Sequence, residues 1–261
     1  MKVAILSATP ELYAEALHVR PDVEVVAAAA WDAFEPVLRA AEAGARVLCE
    51  YPSAAKETDL KAVVDTCAAS GVRLTFASPA CHGEAFAVVR KGIADGGIGE
   101  LTTILGSLDT GADGGVLSAA APYLLDLANA VLGGELARQV YAQTNTVLSG
   151  QGAESAAVLT VRDRSGKVAS FDLRQNPAAT GRPVITFIGE KASVQYDAGP
   201  KLIDGVDAAI GGEDLVSLLL NDFLSEGDAP GPGGEAALRT FRIIQAAYES
   251  AHTGQPVDLA P

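Results

Sequence analysis

Cysteine, histidine, methionine and tryptophan are all scarce in this chain. Its 261 residues include three cysteines, three histidines, one methionine and one tryptophan. Cys49, Cys67 and Cys81 are odd in number and lack metal-ligand spacing. They read as reduced thiols of a cytoplasmic protein, not as a disulfide framework. His18, His82 and His252 are scattered, and no zinc motif is formed. Positive charge is short as well, since 19 Lys and Arg against 33 Asp and Glu leave −14 at pH 7. Nucleic acid and anionic membranes both demand clustered cations, so neither is an expected partner. No apolar run approaches the roughly 20 residues of a membrane span. The opening MKVAILSATPEL meets Pro10 too soon to be a signal-peptide core and reads as a first strand. The chain is 49% hydrophobic and 20% charged, the balance of a soluble globular protein with one large or two modest domains.

Punctuation by Gly and Pro divides the chain into two patterns. Residues 2–6 (KVAIL), 23–30, 47–49 and 72–76 read as strands, and residues 10–19, 33–43 and 58–70 between them as helices. Asp32 is placed to cap the second of these helices, with Pro36 in its first turn and Gly44 at its end. Strands alternating with helices at short period imply a parallel sheet. Beyond Gly83 the order changes. A helix over 84–95 and a strand over 101–108 lead into an almost wholly apolar helix over 116–132. Strand-like segments follow around 138–146, 156–162, 168–174, 184–188 and 193–196, with a hairpin tip at Ser165-Gly166. Strands without intervening helices imply an antiparallel sheet. Helices over 214–225 and 235–251 close the chain. The expected fold is α/β, a shortened Rossmann-like domain over 1–78, followed by an α+β substrate or dimerisation domain over 79–261 with an open antiparallel sheet.

The run RVLCEYP (residues 46–52) sits between a helix with a Gly stop and a further helix. In this position it resembles the strand ending in Glu-Lys-Pro of the Gfo/Idh/MocA oxidoreductases. KGIADGGIGELTTILGS (91–107), GGVLSAAAPYLLDLANAVLGG (114–134), ITFIGEKASVQYD (185–197) and AAYESAHTGQPVDL (246–259) resemble that family's later elements in the same order. The resemblance implies a dinucleotide-binding domain, a substrate domain, sugar-like substrates and NAD(P). It also implies a catalytic Lys where Tyr51 stands. An Asp and a His on the long helix fall, in the register that places Asp126 at its second acidic position, on Ala119 and Tyr123.

Several of these implied groups are missing. No glycine lies between Ser7 and Leu12, Pro10 has no amide donor, and Glu11 puts negative charge where phosphate would sit. An acid about 20 positions on should bind a ribose, but residues 25–30 read VVAAAA and only Asp32 is near. Ser7, Thr9 and Asp32 therefore form a degenerate cofactor loop. The strand at 23–30 matches either the family's second or its fourth strand, and in both cases elements are deleted.

These losses lead to an expectation of no nicotinamide, with NAD(P) as the alternative. Tyr51, Tyr123 and His82 are the catalytic candidates. The tyrosines would serve if their pKa values were lowered, and His82 because it follows a strand at the carboxyl edge where ligands sit. Both tyrosines also suit plain packing roles. Trp31, Glu50, Asp126, Arg174 and Asn176 are the expected substrate contacts, Arg174 as a carboxylate or phosphate partner. Cys81 lacks a fixed partner for nucleophilic work, and Asp109 and Asp113 read as loop residues. The expected activity is non-redox proton transfer (elimination, isomerisation or cyclisation) on a sugar-like or secondary-metabolite substrate. The alternatives are an NAD(P)-dependent oxidoreductase and a non-catalytic partner subunit. A small-molecule substrate and a homo-oligomer formed through the antiparallel sheet are the expected partners.

Overall fold

β1 (Lys2–Leu6) is apolar on both faces, and Val3, Ala4, Ile5 and Leu6 are all fully buried. Such a strand belongs inside a parallel sheet covered on both sides. The computed structural model places it there. It describes all residues except 52–55, 112–113, 135–136, 149–151, 180, 198–200, 204–205, 209–212, 228–229 and 260–261. α1 (Pro10–His18), β2 (Glu24–Ala29), α2 (Glu35–Glu42), β3 (Arg46–Cys49), α3 (Glu57–Ala69) and β4 (Leu74–Phe76) follow in order. The four strands form one parallel sheet, ordered β2-β1-β3-β4. β2 is its edge and shows the alternating exposure of a strand covered on one side only. Pro52 of the RVLCEYP run lies outside the described residues, as does Asp113.

Asp32 does not cap the second helix. It is exposed on a 3-10 turn, Trp31–Ala33, and α2 starts after Phe34, which makes no side-chain cap. Pro36 explains the shift, because its fixed φ and missing N–H suit the first helical turn and set the start beside it.

Next come a 3-10 turn (Pro79–His82), α4 (Glu84–Ala94), β5 (Leu101–Thr110), α5 (Val116–Ala119) and α6 (Ala121–Leu132). The helix expected over 116–132 is thus two helices. The break falls at Ala120, just before Pro122, which cannot donate the bond a continuous helix needs there. Gly133 ends α6 in a left-handed conformation, φ 65°. β6 (Ala137–Asn145), β7 (Ala156–Asp163), β8 (Val168–Gln175), β9 (Val184–Gly189) and β10 (Ser193–Asp197) then run in sequence. A two-stranded ribbon, β11 (Lys201–Ile203) and β12 (Val206–Ala208), precedes α7 (Leu215–Leu224), α8 (Gly234–Thr253) and β13 (Val257–Asp258).

The second sheet has the order β10-β9-β5-β8-β7-β6-β13. All of its pairs are antiparallel except β5–β8, which is parallel. The sheet is therefore mixed. The crossover from β5 through α5 and α6 lets the chain return in the same direction. α6 lies close on this sheet at Gly106, where a Cβ would stand 2.9 Å from the Phe171 ring and 3.2 Å from Leu124.

The C-terminal helices cover the first sheet. Ala237, Leu238 and Phe241 of α8 join Leu6, Val47 and Phe76 in one core. Leu219, Leu220 and Phe223 of α7 join Val3, Ile5 and Leu48 in another, on the opposite face. Fully burying side chains of this size stabilises by about 1.5–3 kcal/mol each. Arg46 and Arg73 complete the attachment of α7. Arg46 Nη1 donates to Phe223 O at 3.0 Å and Ser225 O at 2.7 Å, and Arg73 Nη1 to Asp222 O at 2.8 Å. These are the carbonyls a helix leaves unsatisfied at its C-terminus, where cations are favoured.

Candidate functional site

The carboxyl ends of β1, β2, β3 and β4 share one edge of the first sheet, and α6 and α8 cross it. Ligands of open α/β sheets sit at this edge. Glu50 follows β3 and is the centre of a hydrogen-bonded group. Its Oε2 accepts from the Ser7 hydroxyl and, at 3.3 Å, from the Ala8 amide. Its Oε1 accepts from the Tyr13 hydroxyl at 2.8 Å. The Glu50 carbonyl accepts from Trp31 Nε1 at 3.1 Å. The turn between β1 and α1 is thereby tied to the end of β3. Thr9 takes part only through its amide, which donates to Ser7 Oγ at 2.9 Å.

One residue on, the Tyr51 hydroxyl donates to Asp126 Oδ1 at 2.7 Å. Its ring packs against Phe76, with centroids 5.0 Å apart. Thr240 Oγ1 also donates to Asp126 Oδ1, at 3.4 Å, and Asn129 Nδ2 donates to Thr240 at 3.4 Å. The other oxygen, Oδ2, is buried with no hydrogen-bond partner among the described residues. Asp126 is 3% exposed. Burial pushes its carboxyl up to about 7, against the pull of hydrogen bonds from Tyr51, Ser78 and Thr240.

The tyrosines are shifted the other way from expectation. Burial, and then the Asp126 charge, hold Tyr51 well above the ordinary phenol range. Tyr123 is pushed up to about 12 by burial and by the charges of Glu50 and Asp126. A desolvated phenol facing carboxylates stays neutral, so neither residue has the lowered pKa expected of a phenolate base. Both suit the role of neutral donor.

The remaining sequence candidates divide. Ser7 and Trp31 are hydrogen-bonded to Glu50, and Tyr51, the next residue along the chain, to Asp126; Tyr123 lies within electrostatic reach of both carboxylates. His82 is elsewhere. Its side chain is fully buried, Nδ1 pairs with Asp222 Oδ2 at 2.8 Å, and burial lowers its pKa against the opposing pull of Asp222. Its Nε2 faces Gly231, where a Cβ would stand 2.5 Å away. Cys81 packs toward Ser78, with burial raising its thiol to about 12, so it is no ready nucleophile. Arg174 alternates with the buried Leu173 on β8, faces away from the helices and pairs with Asp172 on its own strand. Asn176 donates to Asp109 at 3.3 Å. Neither joins the Glu50–Asp126 group. Asp32 stays on its exposed turn.

Sequence reasoning did not single out Tyr13, Ser78, Thr240 or Asn129. Tyr13 had a signal, since Pro10, Tyr13 and Leu17 are the buried face of α1 at helical spacing. Thr240 had none, being more than a hundred positions from Asp126. Among the described residues, no three His, Cys, Asp or Glu side chains could hold a metal ion, and no helix is long and apolar enough to cross a membrane. A cavity of about 740 Å³ lies beside this group, between α6, α8 and the β7–β8 hairpin; neither Glu50 nor Tyr51 lines it.

Residues 86–195 match the Gfo/Idh/MocA C-terminal domain model. This stretch, under half of the chain, is similar to that domain. It carries Tyr123, Asp126, Arg174 and Asn176, whereas Glu50 and Tyr51 lie outside the match. No curated protein matches the sequence. Solved structures extend the likeness over the whole chain. A myo-inositol dehydrogenase from Corynebacterium glutamicum is similar with TM-score 0.75 and 16% identity, over 100% of both chains. The WlbA dehydrogenase from Bordetella pertussis, in complex with NADH and UDP-GlcNAcA, is similar with TM-score 0.74 and 19% identity, over 100% of this chain and 98% of that one. An inositol dehydrogenase homolog from Azotobacter vinelandii, complexed with NADH and myo-inositol, is similar with TM-score 0.70 and 18% identity, over 87% of this chain and 75% of that one. At these identities the likeness is one of fold. The chain shares the fold of these dehydrogenases, a Rossmann-like sheet joined to a mixed α/β sheet.

Proposed function

We propose that this chain is a small-molecule enzyme that moves protons, not hydride, with Tyr51 and Asp126 as its acid–base pair. The observation that carries the proposal is the position of the Glu50 carboxylate. It accepts from the Ser7 hydroxyl and the Ala8 amide, donors of the turn where a Rossmann domain would hold pyrophosphate. A second anion there would meet the Glu50 and Glu11 charges and find no amide hydrogen on Pro10. The turn does not fit a dinucleotide phosphate, and no step is assigned to a nicotinamide.

The chemistry follows from two matched groups. In its ionised form Asp126 draws a proton from Tyr51 while Tyr51 takes one from a substrate hydroxyl in the cleft, so the phenol stays neutral throughout. The reverse relay returns the proton to a substrate or leaving-group oxygen. A carboxyl held near 7 is suited to both directions at neutral pH. Elimination, isomerisation or cyclisation of a sugar-like or secondary-metabolite substrate needs this kind of transfer. In the same reading the outer face of the second sheet, where Leu105 and Val158 are exposed, is the contact of a homo-oligomer.

NAD(P)-dependent redox chemistry is the competing reading, favoured by the NADH named with two of the similar structures. Thermal melting separates the two. The melting temperature is expected to stay unchanged in millimolar NADH or NADPH. Ligand at a hundred times its Kd would add about 2.7 kcal/mol of stability, a rise of several degrees that would overturn the proposal. Isomerisation or elimination assisted by this hydroxyl transfer also moves a carbon-bound proton, and deuterium wash-in from D2O at the carbons of cyclitols and sugar acids reads that exchange. Tyr51→Phe is expected to slow any exchange about a hundredfold or more, and full exchange in that variant would remove Tyr51 from the mechanism.

A further inference from the structure

The cavity between α6, α8 and the β7–β8 hairpin lies beside the proton-transfer site and shares only Asn129 with its hydrogen-bonded group. The apolar part of its wall comes from Leu125 and Leu132 of α6, Val161 of β7 and Ile243 and Ala246 of α8. Two polar groups in this lining stand out. Asp163 is 5% exposed, at the inner end of β7. Its Oδ1 accepts from the Ser165 hydroxyl at 2.9 Å and the Lys167 amide at 2.8 Å, which closes the hairpin tip. Its Oδ2 is buried with no hydrogen-bond partner among the described residues; the Lys167 ammonium, which also lines the cavity, pairs with it only at ion-pair distance, 3.9 Å, beyond hydrogen-bond length. A buried carboxylate oxygen left without a donor is costly, and a ligand that supplies one is favoured.

The second group is Arg239, half-buried on α8, with no hydrogen-bond or ion-pair partner among the described residues. Its neighbour Arg242 is different, because it is taken by Glu57 at 2.7 Å. Glu249, further along the helix, is exposed to water. The lining thus offers an apolar body, one buried acceptor beside the Lys167 ammonium, and one guanidinium without a partner among the described residues; Glu57, Glu249 and Asp258 also line it.

We propose that this cavity binds a small amphipathic hydroxy acid, its hydroxyl donating to Asp163 and its carboxylate pairing with Arg239. The volume of about 740 Å³ is in the range of pockets that enclose such molecules. The site stands whether or not the Tyr51–Asp126 reading does, because it uses none of the same side chains.

Calorimetric titration of the full chain with ω-hydroxydecanoate and with decanoate tests it. The wild type is expected to bind the hydroxy acid about tenfold more tightly, the value of a hydrogen bond to a buried charge. Asp163→Asn keeps an oxygen for Ser165 and Lys167, so the hairpin survives, but presents a donor in place of Oδ2. It is expected to abolish the preference for the hydroxyl. Arg239→Met keeps the apolar stem and is expected to weaken both acids about tenfold. Ala246→Phe fills the cavity and is expected to abolish binding of both. Absence of binding to the wild type at millimolar hydroxydecanoate, equal affinity for the two acids, a preference retained in Asp163→Asn, or binding retained in Ala246→Phe would each overturn the proposal.

Discussion

Asp126 is expected to make this protein less stable as pH rises from about 4 to about 8, by on the order of 4 kcal/mol in total. The folded carboxyl titrates at about 7 against an ordinary value of 3.8, chiefly because it is buried. The folded state therefore binds more protons than the unfolded state across that window. The contribution is fully present below the unfolded value and is lost as pH climbs through the folded one. His82 works in the opposite sense. Its pKa is lowered from 6.5 by burial, so its contribution is present above that value and lost as pH falls through the lowered one. The two partly offset each other in the wild type, and only a paired measurement isolates Asp126. Denaturant melts of wild type and Asp126→Asn across the range provide it. Asparagine keeps an oxygen for Tyr51 and Thr240 but cannot ionise. The difference in stability between the two proteins is expected to move toward the variant as pH rises. A difference that stays flat would show that Asp126 ionises in the folded state as freely as an exposed carboxylate.

This carboxyl also shows where reading the sequence stopped. Asp126 stood out as an acid in an otherwise apolar helix, and the four strands of the first sheet stood out as apolar runs between Gly and Pro stops. Local pattern sufficed for both. Pattern did not reveal that Asp126 meets Tyr51 across 75 positions or Thr240 across 114, because such contacts depend on how α6 and α8 cross the sheet edge. Direction along a strand was equally opaque. Arg174 alternates correctly for an exposed residue, but nothing local says whether its face meets the helices or the outside. His82 follows the last parallel strand, as expected, but its side chain is fully buried. α7 covers it, and α7 lies more than a hundred residues later in the chain. The parallel β5–β8 pair was hidden for a related reason, since a run of strands does not state which neighbour each one finds. The break at Ala120 was legible in principle, because Pro122 stands inside the run read as one helix.

Phe76 joins the stability of the fold to the chemistry of the site, and Phe76→Ala is expected to damage both. The ring is fully buried in the core shared by the first sheet and α8, and it lies 5.0 Å from the Tyr51 ring. Removing it leaves a cavity and costs about 3–5 kcal/mol, a large share of the 5–15 kcal/mol typical of a domain. The denaturant midpoint reports that loss. The second effect is more specific. Without Phe76 one wall holding Tyr51 against Asp126 is gone, and water enters beside the carboxyl. Its pKa then falls toward the ordinary range, and the decline in stability between about pH 4 and about pH 8 flattens. Phe171→Ala is the matched control. Phe171 is fully buried in the other core, against Gly106, so the loss of stability is comparable while the pH dependence persists. If the two variants keep the same pH dependence as wild type, Phe76 is a packing residue and Tyr51 holds its place by the hydrogen bond alone. If only Phe76→Ala flattens it, packing beneath the tyrosine is what keeps Asp126 poised near neutrality.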